Sequence, residues 1–178
     1  MTEYTKKIES LAINGGTNEI FYNSCESHAL IVLINLVKNA DTYIKSICGN
    51  MCSEVSNNPE YVESVRSFLN GNKTRKFQIL FDKYDISFQS RPIAKTLAMF
   101  PNQVEIRKLK SGYIKYNDKP VHITVSDDRA FRFETDIEKK MAWGNFNNPK
   151  QGKAIAKVFD HFFDNRYSER VPLIDTVC

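Results

Sequence analysis

The side chains with most chemistry to offer are concentrated between Pro120 and Phe146, in the stretch PVHITVSDDRAFRFETDIEKKMAWGNF. His122 is its one histidine, and an imidazole titrating near neutral pH can act as nucleophile, general base or cationic anchor. Arg132 supplies a fixed positive charge, and Glu134 a carboxylate able to orient and electrostatically support an imidazole. Thr124 lies two residues beyond His122. The stretch closes on Gly144-Asn145-Phe146-Asn147.

Two strands must position these groups. V-H-I-T-V and F-R-F-E alternate apolar and polar residues with the period of two expected of strands, and Asp127-Asp128 between them reads as a turn. A two-residue loop would put polar and aromatic side chains on one face. A three-residue loop, Asp127 to Arg129, sends Val121, Ile123, Val125, Phe131 and Phe133 to one face and His122, Thr124, Ser126, Arg132 and Glu134 to the other. Because a slip of one residue inverts every side chain, the second register is expected. It pairs His122 with Glu134 and Thr124 with Arg132 as cross-strand neighbours.

Upstream, the pattern alternates between helix and strand. Thr2 to Ile13 has helical spacing and ends at Asn14-Gly15-Gly16; a brief strand follows at Glu19 to Tyr22. A helix is expected from about Cys25 to Lys38, capped by Ser24. TYIKSICG then suits a buried strand, Asn58-Pro59 starts a helix, and KFQILFD is an apolar strand ending in Asp82. A helix at Pro92 to Phe100 leads to a strand at Val104 to Leu109. After the segment Tyr113 to Tyr116 and the hairpin, a last helix runs from Pro149 to Phe163. This order predicts an α/β fold, a mixed, largely parallel β-sheet flanked by helices on both faces. Neither repeat nor linker divides it, so residues 1–178 are expected to form one domain, with an N-terminal helix and loop over 1–16 and a peripheral tail over 167–178.

With 178 residues, 42% hydrophobic and 26% charged, the chain can bury one sizeable core. Its longest apolar run, Ala29 to Val37, is interrupted by Asn35 and is too short to span a bilayer. MTEYTKKIES lacks the order of a signal peptide, and a cytoplasmic location is expected. Cys25, Cys48, Cys52 and Cys178 are too sparse for a disulfide scaffold and read as free thiols. Small buried cysteines are a simpler reading than a metal site built from Cys48, Cys52 and a histidine, so no metal or cofactor is expected.

The net charge of +4 is unevenly spread. Between Arg66 and Lys119 there are 12 Lys and Arg against 4 Asp and Glu, or +8; the remainder has 13 against 17, or −4. Such asymmetry points to a polyanionic partner as readily as to a solvated basic face. Phe77, Tyr84, Phe88, Tyr113 and Tyr116 interleave with the basic residues there, a composition suited to stacking and phosphate contacts. His28 and His161 fall on predicted helices, where a structural role is simpler. No GxGxxG, GxxxxGKS/T or GxSxG motif competes.

A helix followed by a strand, ALIVLINLVKNADTYIKSICG, then a later V-H-I-T-V strand and a Gly-x-x-Asn close, resembles one half of the phospholipase D-like superfamily. The resemblance implies a phospholipase D-like half-domain in which a strand bears H-x-K-x-x-x-x-D and a Gly-Ser-x-Asn turn follows. It also implies a histidine that forms a phosphohistidine, a lysine and an asparagine that hold the phosphate, and two copies paired in a homodimer. His122 matches the histidine, Thr124 stands where the lysine belongs, and Arg129 where the aspartate belongs. Gly144-Asn145-Phe146-Asn147 matches the turn, displaced downstream by Thr135 to Trp143. On this match His122 and Glu134 are the catalytic candidates, and Thr124, Arg132, Asn145 and Asn147 the phosphate-binding ones. Losing the lysine removes a charge that stabilises a phosphorane, at a cost of orders of magnitude in rate.

The leading expectation is therefore a catalytically degenerate phospholipase D-like domain binding a phosphate-bearing ligand, nucleic acid or nucleotide, as a homodimer. The first alternative is a metal-independent phosphodiesterase or nuclease using His122 in a dimeric site. The second is a scaffold for a protein partner in a bacterial or phage defence-related system. A membrane partner is not expected.

Overall fold

In a computed structural model of the chain, residues 2–174 are described; Cys178 and the end of the expected tail lie outside the described residues. Helix α1 (Glu3–Ala12) starts where the Thr2 hydroxyl accepts the Thr5 N–H, and turns Ile8, Leu11 and Ala12 inward. Strand β1 (Ile20–Asn23) and helix α2 (Glu26–Lys38) follow; the cap of α2 is Cys25, with no side-chain bond, rather than Ser24. Strand β2 (Tyr43–Cys48) leads through the one-turn helix α3 (Ser53–Ser56) to α4 (Pro59–Gly71). At the start of α4 the Asn58 side chain accepts two backbone N–H groups ahead of a first-turn proline, a start the sequence advertises.

Strand β3 (Lys76–Phe81), helix α5 (Pro92–Ala98) and strand β4 (Val104–Leu109) complete the alternating part. A two-stranded ribbon, β5 (Lys115–Tyr116) and β6 (Lys119–Pro120), precedes the hairpin of β7 (His122–Ser126) and β8 (Ala130–Asp136). Then come β9 (Met141–Asn145), α6 (Pro149–Phe162) and β10 (Ser168–Arg170).

Eight strands form one sheet in the order β1-β9-β8-β7-β2-β3-β4-β10. The parallel pairings are β2 with β3 and β3 with β4; the five others are antiparallel. The sheet is mixed, with β1, β8, β2, β3 and β4 running one way and β9, β7 and β10 the other. Helices cover both faces, as expected. On one face α2, α4 and α5 bury Ile44, Phe77, Ile79 and Phe81, while α1 and α2 enclose Phe21 and Phe146. On the other, α6 lies over Ile47, Leu80 and Ile123 through Phe159, and over Val125 and Phe131 through Ala156.

The hairpin has the register argued from burial: His122 opposite Glu134, Ile123 opposite Phe133, Thr124 opposite Arg132. Asp127 and Asp128 take left-handed φ values of 51° and 56°, which acidic side chains tolerate better than most. The Asp127 carboxylate also accepts the N–H groups of Asp41, Thr42 and Tyr43, tying the turn to the start of β2.

Two further features differ from expectation. The residues from Thr135 to Trp143 do not form a simple insertion: β8 continues through a bulge to Asp136, and β9 returns along it. The segment after Tyr167 is better integrated than a peripheral tail, since β10 pairs with β4 and Val171 joins the core.

Candidate functional site

His122 opens β7 next to Ile123, whose partner on β2 is Ile47, so the imidazole stands level with the C-terminal ends of β2 and β3. Open α/β sheets place ligand crevices at this end of their parallel strands. A Cβ at Gly49, just beyond β2, would meet His122 Cε1 and Nε2 at ordinary van der Waals distance, so the chain after β2 packs against the ring. Nδ1 lies 3.0 Å from Glu134 Oε2, and Nε2 lies 3.4 Å from Asp82 Oδ2. The second contact is ion-pair range rather than a directed hydrogen bond, and this Asp82 oxygen has no other hydrogen-bond partner. Asp82, with its side chain 2% exposed, follows β3 directly.

Arg132 completes the row. It donates through Nη2 to Glu134 at 2.7 Å and through Nε to Asn23 Oδ1 at 3.0 Å, and Asn23 in turn donates to the Lys140 carbonyl at 2.9 Å. Next to it the Thr124 and Ser46 hydroxyls bond to each other at 3.0 Å. Burial alone would lower the His122 pKa, but bonding to Asp82 and Glu134 outweighs it and the net shift is upward. For Glu134, burial pushes upward while His122 and Arg132 pull harder, and the net shift is downward. Both shifts favour an imidazolium between two carboxylates.

Ser46, His122, Thr124, Arg132 and Glu134 form the polar floor of a cavity of about 360 Å³. Its apolar wall comes from Ala29, Leu33, Val55, Tyr61 and Ile137, and Arg91 and Lys140 add cations. Arg91 staples the wall segment by donating to the Asn50 carbonyl at 2.8 Å, to Ser56 Oγ at 3.1 Å and to the Met51 carbonyl. Met51 and Lys140 hold left-handed φ values of 47° and 54°, and residues without glycine's freedom keep that conformation where surroundings impose it. Cys48 and Cys52 line the same cavity, and burial pushes both thiols up, away from the reactive thiolate.

No protein-family model matches the sequence, and no curated protein matches it. Solved structures do. The chain is similar to Nuc from Salmonella typhimurium, a phospholipase D family member, at 11% identity and a TM-score of 0.56, over 86% of this chain and 96% of that one. The chain has a phospholipase D-like fold. It is also similar to NucT from Helicobacter pylori, at 13% identity and a TM-score of 0.56, over 83% of this chain and 95% of that one. The archaeal chromatin protein TrmBL2, whose structure shows a mode of DNA binding, matches at 13% identity and a TM-score of 0.62, over 93% of this chain and 60% of that one.

Within this phospholipase D-like fold, His122, Thr124, Arg132 and Glu134 are brought together and line one cavity. Asn145 and Asn147 are not among the residues lining it. Asn145 pairs with Phe131, which puts it on the α6 face of the sheet and about 10 Å along β8 from Glu134. Its amide donates to Asn18 and its carbonyl accepts the Asn147 N–H, so the Gly-Asn-Phe-Asn close builds a turn. Arg129 is remote as well, bonded to the carbonyls of Gly15 and Asn39. His28 stacks on Tyr4, and His161 packs against Phe162 and Tyr167.

Asp82, Asn23 and Ser46 belong to the network and were missed. Asp82 had a readable signal, an acidic residue at the C-terminal end of an apolar strand. Asn23 had none, because its part depends on β1 pairing with β9, and that strand lay hidden between Thr135 and Trp143. Among the described residues, no group of three or more His, Cys, Asp or Glu side chains is arranged to hold a metal, and no helix is long and apolar enough to cross a membrane.

Proposed function

We propose that the protein is a catalytically degenerate phospholipase D-like domain that binds a phosphate-bearing ligand, nucleic acid or nucleotide, as a cytoplasmic homodimer. The observation that carries this reading is the His122 ring closed in by carboxylates, 3.0 Å from Glu134 on one nitrogen and 3.4 Å from Asp82 on the other. Nε2, the nitrogen that Glu134 leaves available, faces the Asp82 carboxylate. A phosphate brought to Nε2 would also meet the Asp82 charge. Thr124, bonded to Ser46, adds no cation beside it. Binding asks less: Arg91, Arg132 and Lys140, set against Glu26 and Glu134, leave the lining with a positive excess, and the apolar wall accepts a sugar or base. The DNA binding of the structurally similar chromatin protein makes nucleic acid the first ligand class to try.

The test is calorimetric titration in EDTA with a nucleoside monophosphate and with the same nucleoside lacking phosphate. The monophosphate should bind, the nucleoside should not, and Lys140→Gln should weaken the monophosphate; equal binding of both ligands contradicts the reading. Sedimentation equilibrium tests the homodimer. The Nδ1 contact to Glu134 is the one feature that favours an active phosphodiesterase. That alternative requires metal-independent cleavage of an oligonucleotide that disappears in His122→Asn.

A further inference from the structure

We propose that the outer surface of α6, with the β5–β6 ribbon beside it, binds the phosphodiester backbone of nucleic acid at a surface separate from the His122 cavity. Helix α6 turns Gly152, Ala156 and Phe159 toward the sheet and leaves Lys150, Lys153 and Lys157 exposed. Spaced by three and then four residues, these lysines make a row about 10 Å long, the axial length of about three phosphates on one strand.

What marks this row is that three lysines without counter-charge share one helix face. Five lysines elsewhere are paired, Lys7 with Glu19, Lys38 with Glu60, Lys45 with Asp160, Lys108 with Glu169 and Lys140 with Glu26, while exposed lysines such as Lys6, Lys73, Lys83 and Lys95 stand unpaired among the described residues but scattered. None of the three α6 lysines has an ion-pair partner among the described residues. The single acid of the helix, Asp160, is held 2.8 Å from Lys45. Helices α1 to α5, on the opposite face, carry six glutamates against Lys6, Lys7, Lys38, Arg66 and Lys95, a net of −1; α6 carries three lysines against Asp160, a net of +2.

The ribbon extends the surface. Its flanking residues Ile114 and Val121 pack in one cluster with Phe159 of α6, so the two elements are neighbours. Lys115 and Lys119 are exposed on it, and so are Tyr113 and Tyr116, at 49% and 56%. Cations in a row beside exposed aromatic rings suit phosphates with unpaired bases stacking alongside. An anionic bilayer fits less well, because α6 sends its large apolar side chains inward and leaves only Val158 outside at 43%.

The experiment is fluorescence anisotropy with a labelled 20-nucleotide single strand and its duplex over a salt series, comparing the wild type with Lys150→Gln/Lys153→Gln/Lys157→Gln. Vesicles containing phosphatidylserine are run in parallel. For the single strand the plot of log K against log salt should become shallower by about 2, at about 0.7 for each phosphate that a lysine no longer neutralises. Circular dichroism of the variant should match the wild type, since all three positions are exposed. Unchanged affinity and salt slope in a folded variant overturns the proposal, as does binding to vesicles with none to either oligonucleotide. Nucleoside monophosphate binding reports on the cavity alone, so its failure in the wild type counts against the cavity reading while the oligonucleotide arm still judges α6.

Discussion

On the α2 side of the sheet, Glu134 and Arg132 are buried beside a half-buried His122, and each is answered by a named partner; on the α6 side, Lys150, Lys153 and Lys157 stand in solvent with none. Both regions hold cations suited to phosphate, but by different means. The buried row spends its charges on itself: Asp82, His122, Glu134, Arg132 and Asn23 form one chain of contacts, and only what is left over faces the cavity. The exposed row keeps its charges for a partner. The first arrangement gives a small, shaped and selective site, the second a salt-sensitive and permissive one.

The largest test of this contrast is Glu134→Ala. Removing the carboxylate leaves Arg132 and an imidazolium buried without it, and breaking such a pair costs about 3–5 kcal/mol; urea denaturation should show a loss of that order. Next is Gly152→Ala, where a Cβ would run into the backbone of Asp128, pushing α6 off the sheet. Overpacking of this kind costs roughly 1–3 kcal/mol by the same measurement. At the other end, the α6 lysine substitutions should alter stability by no more than about 0.5 kcal/mol each. If they cost as much as Glu134→Ala, the division between the two faces fails.

Between these extremes lies a pH effect with a definite sign. The folded His122 titrates above its ordinary value of about 6.5. Its contribution is whole below that value and is lost as pH rises through the raised one. Glu134 titrates below its ordinary value, so its contribution is whole above that value and fades as pH falls through the lowered one. Thermal melting should therefore show the wild type losing stability above about pH 6.5, and His122→Gln should flatten that limb. A wild-type curve that rises through this range contradicts the imidazolium.

The hairpin was legible because its two strands alternate cleanly and one register alone separates Phe131 and Phe133 from Arg132 and Glu134. The same reasoning could not reach β9, where the pattern is interrupted by Lys139 and Lys140 and by a bulge after Glu134. Missing that strand put Asn145 and Asn147 at the site, although the returning chain carries them to the far end of β8. The basic excess of residues 66–119 was real as a count, but a count along the chain is not a surface. Arg107 is buried against Glu105 and the Phe163 carbonyl, and Arg75 and Arg91 are held by backbone carbonyls. Phe77 and Phe88 are core, and only Tyr113 and Tyr116 of the interleaved rings stand well exposed. The lysine row of α6 lies outside that segment, and of the proposed surface's lysines only Lys115 and Lys119 of the ribbon fall within it.

The most direct measurement is ³¹P NMR of the protein incubated in EDTA with bis(4-nitrophenyl) phosphate and quenched in denaturant. With both His122 nitrogens facing carboxylates and Thr124 in place of a lysine, no phosphohistidine resonance should appear. A resonance that is present in the wild type and absent in His122→Asn would show that His122 is a nucleophile and that the site is not degenerate.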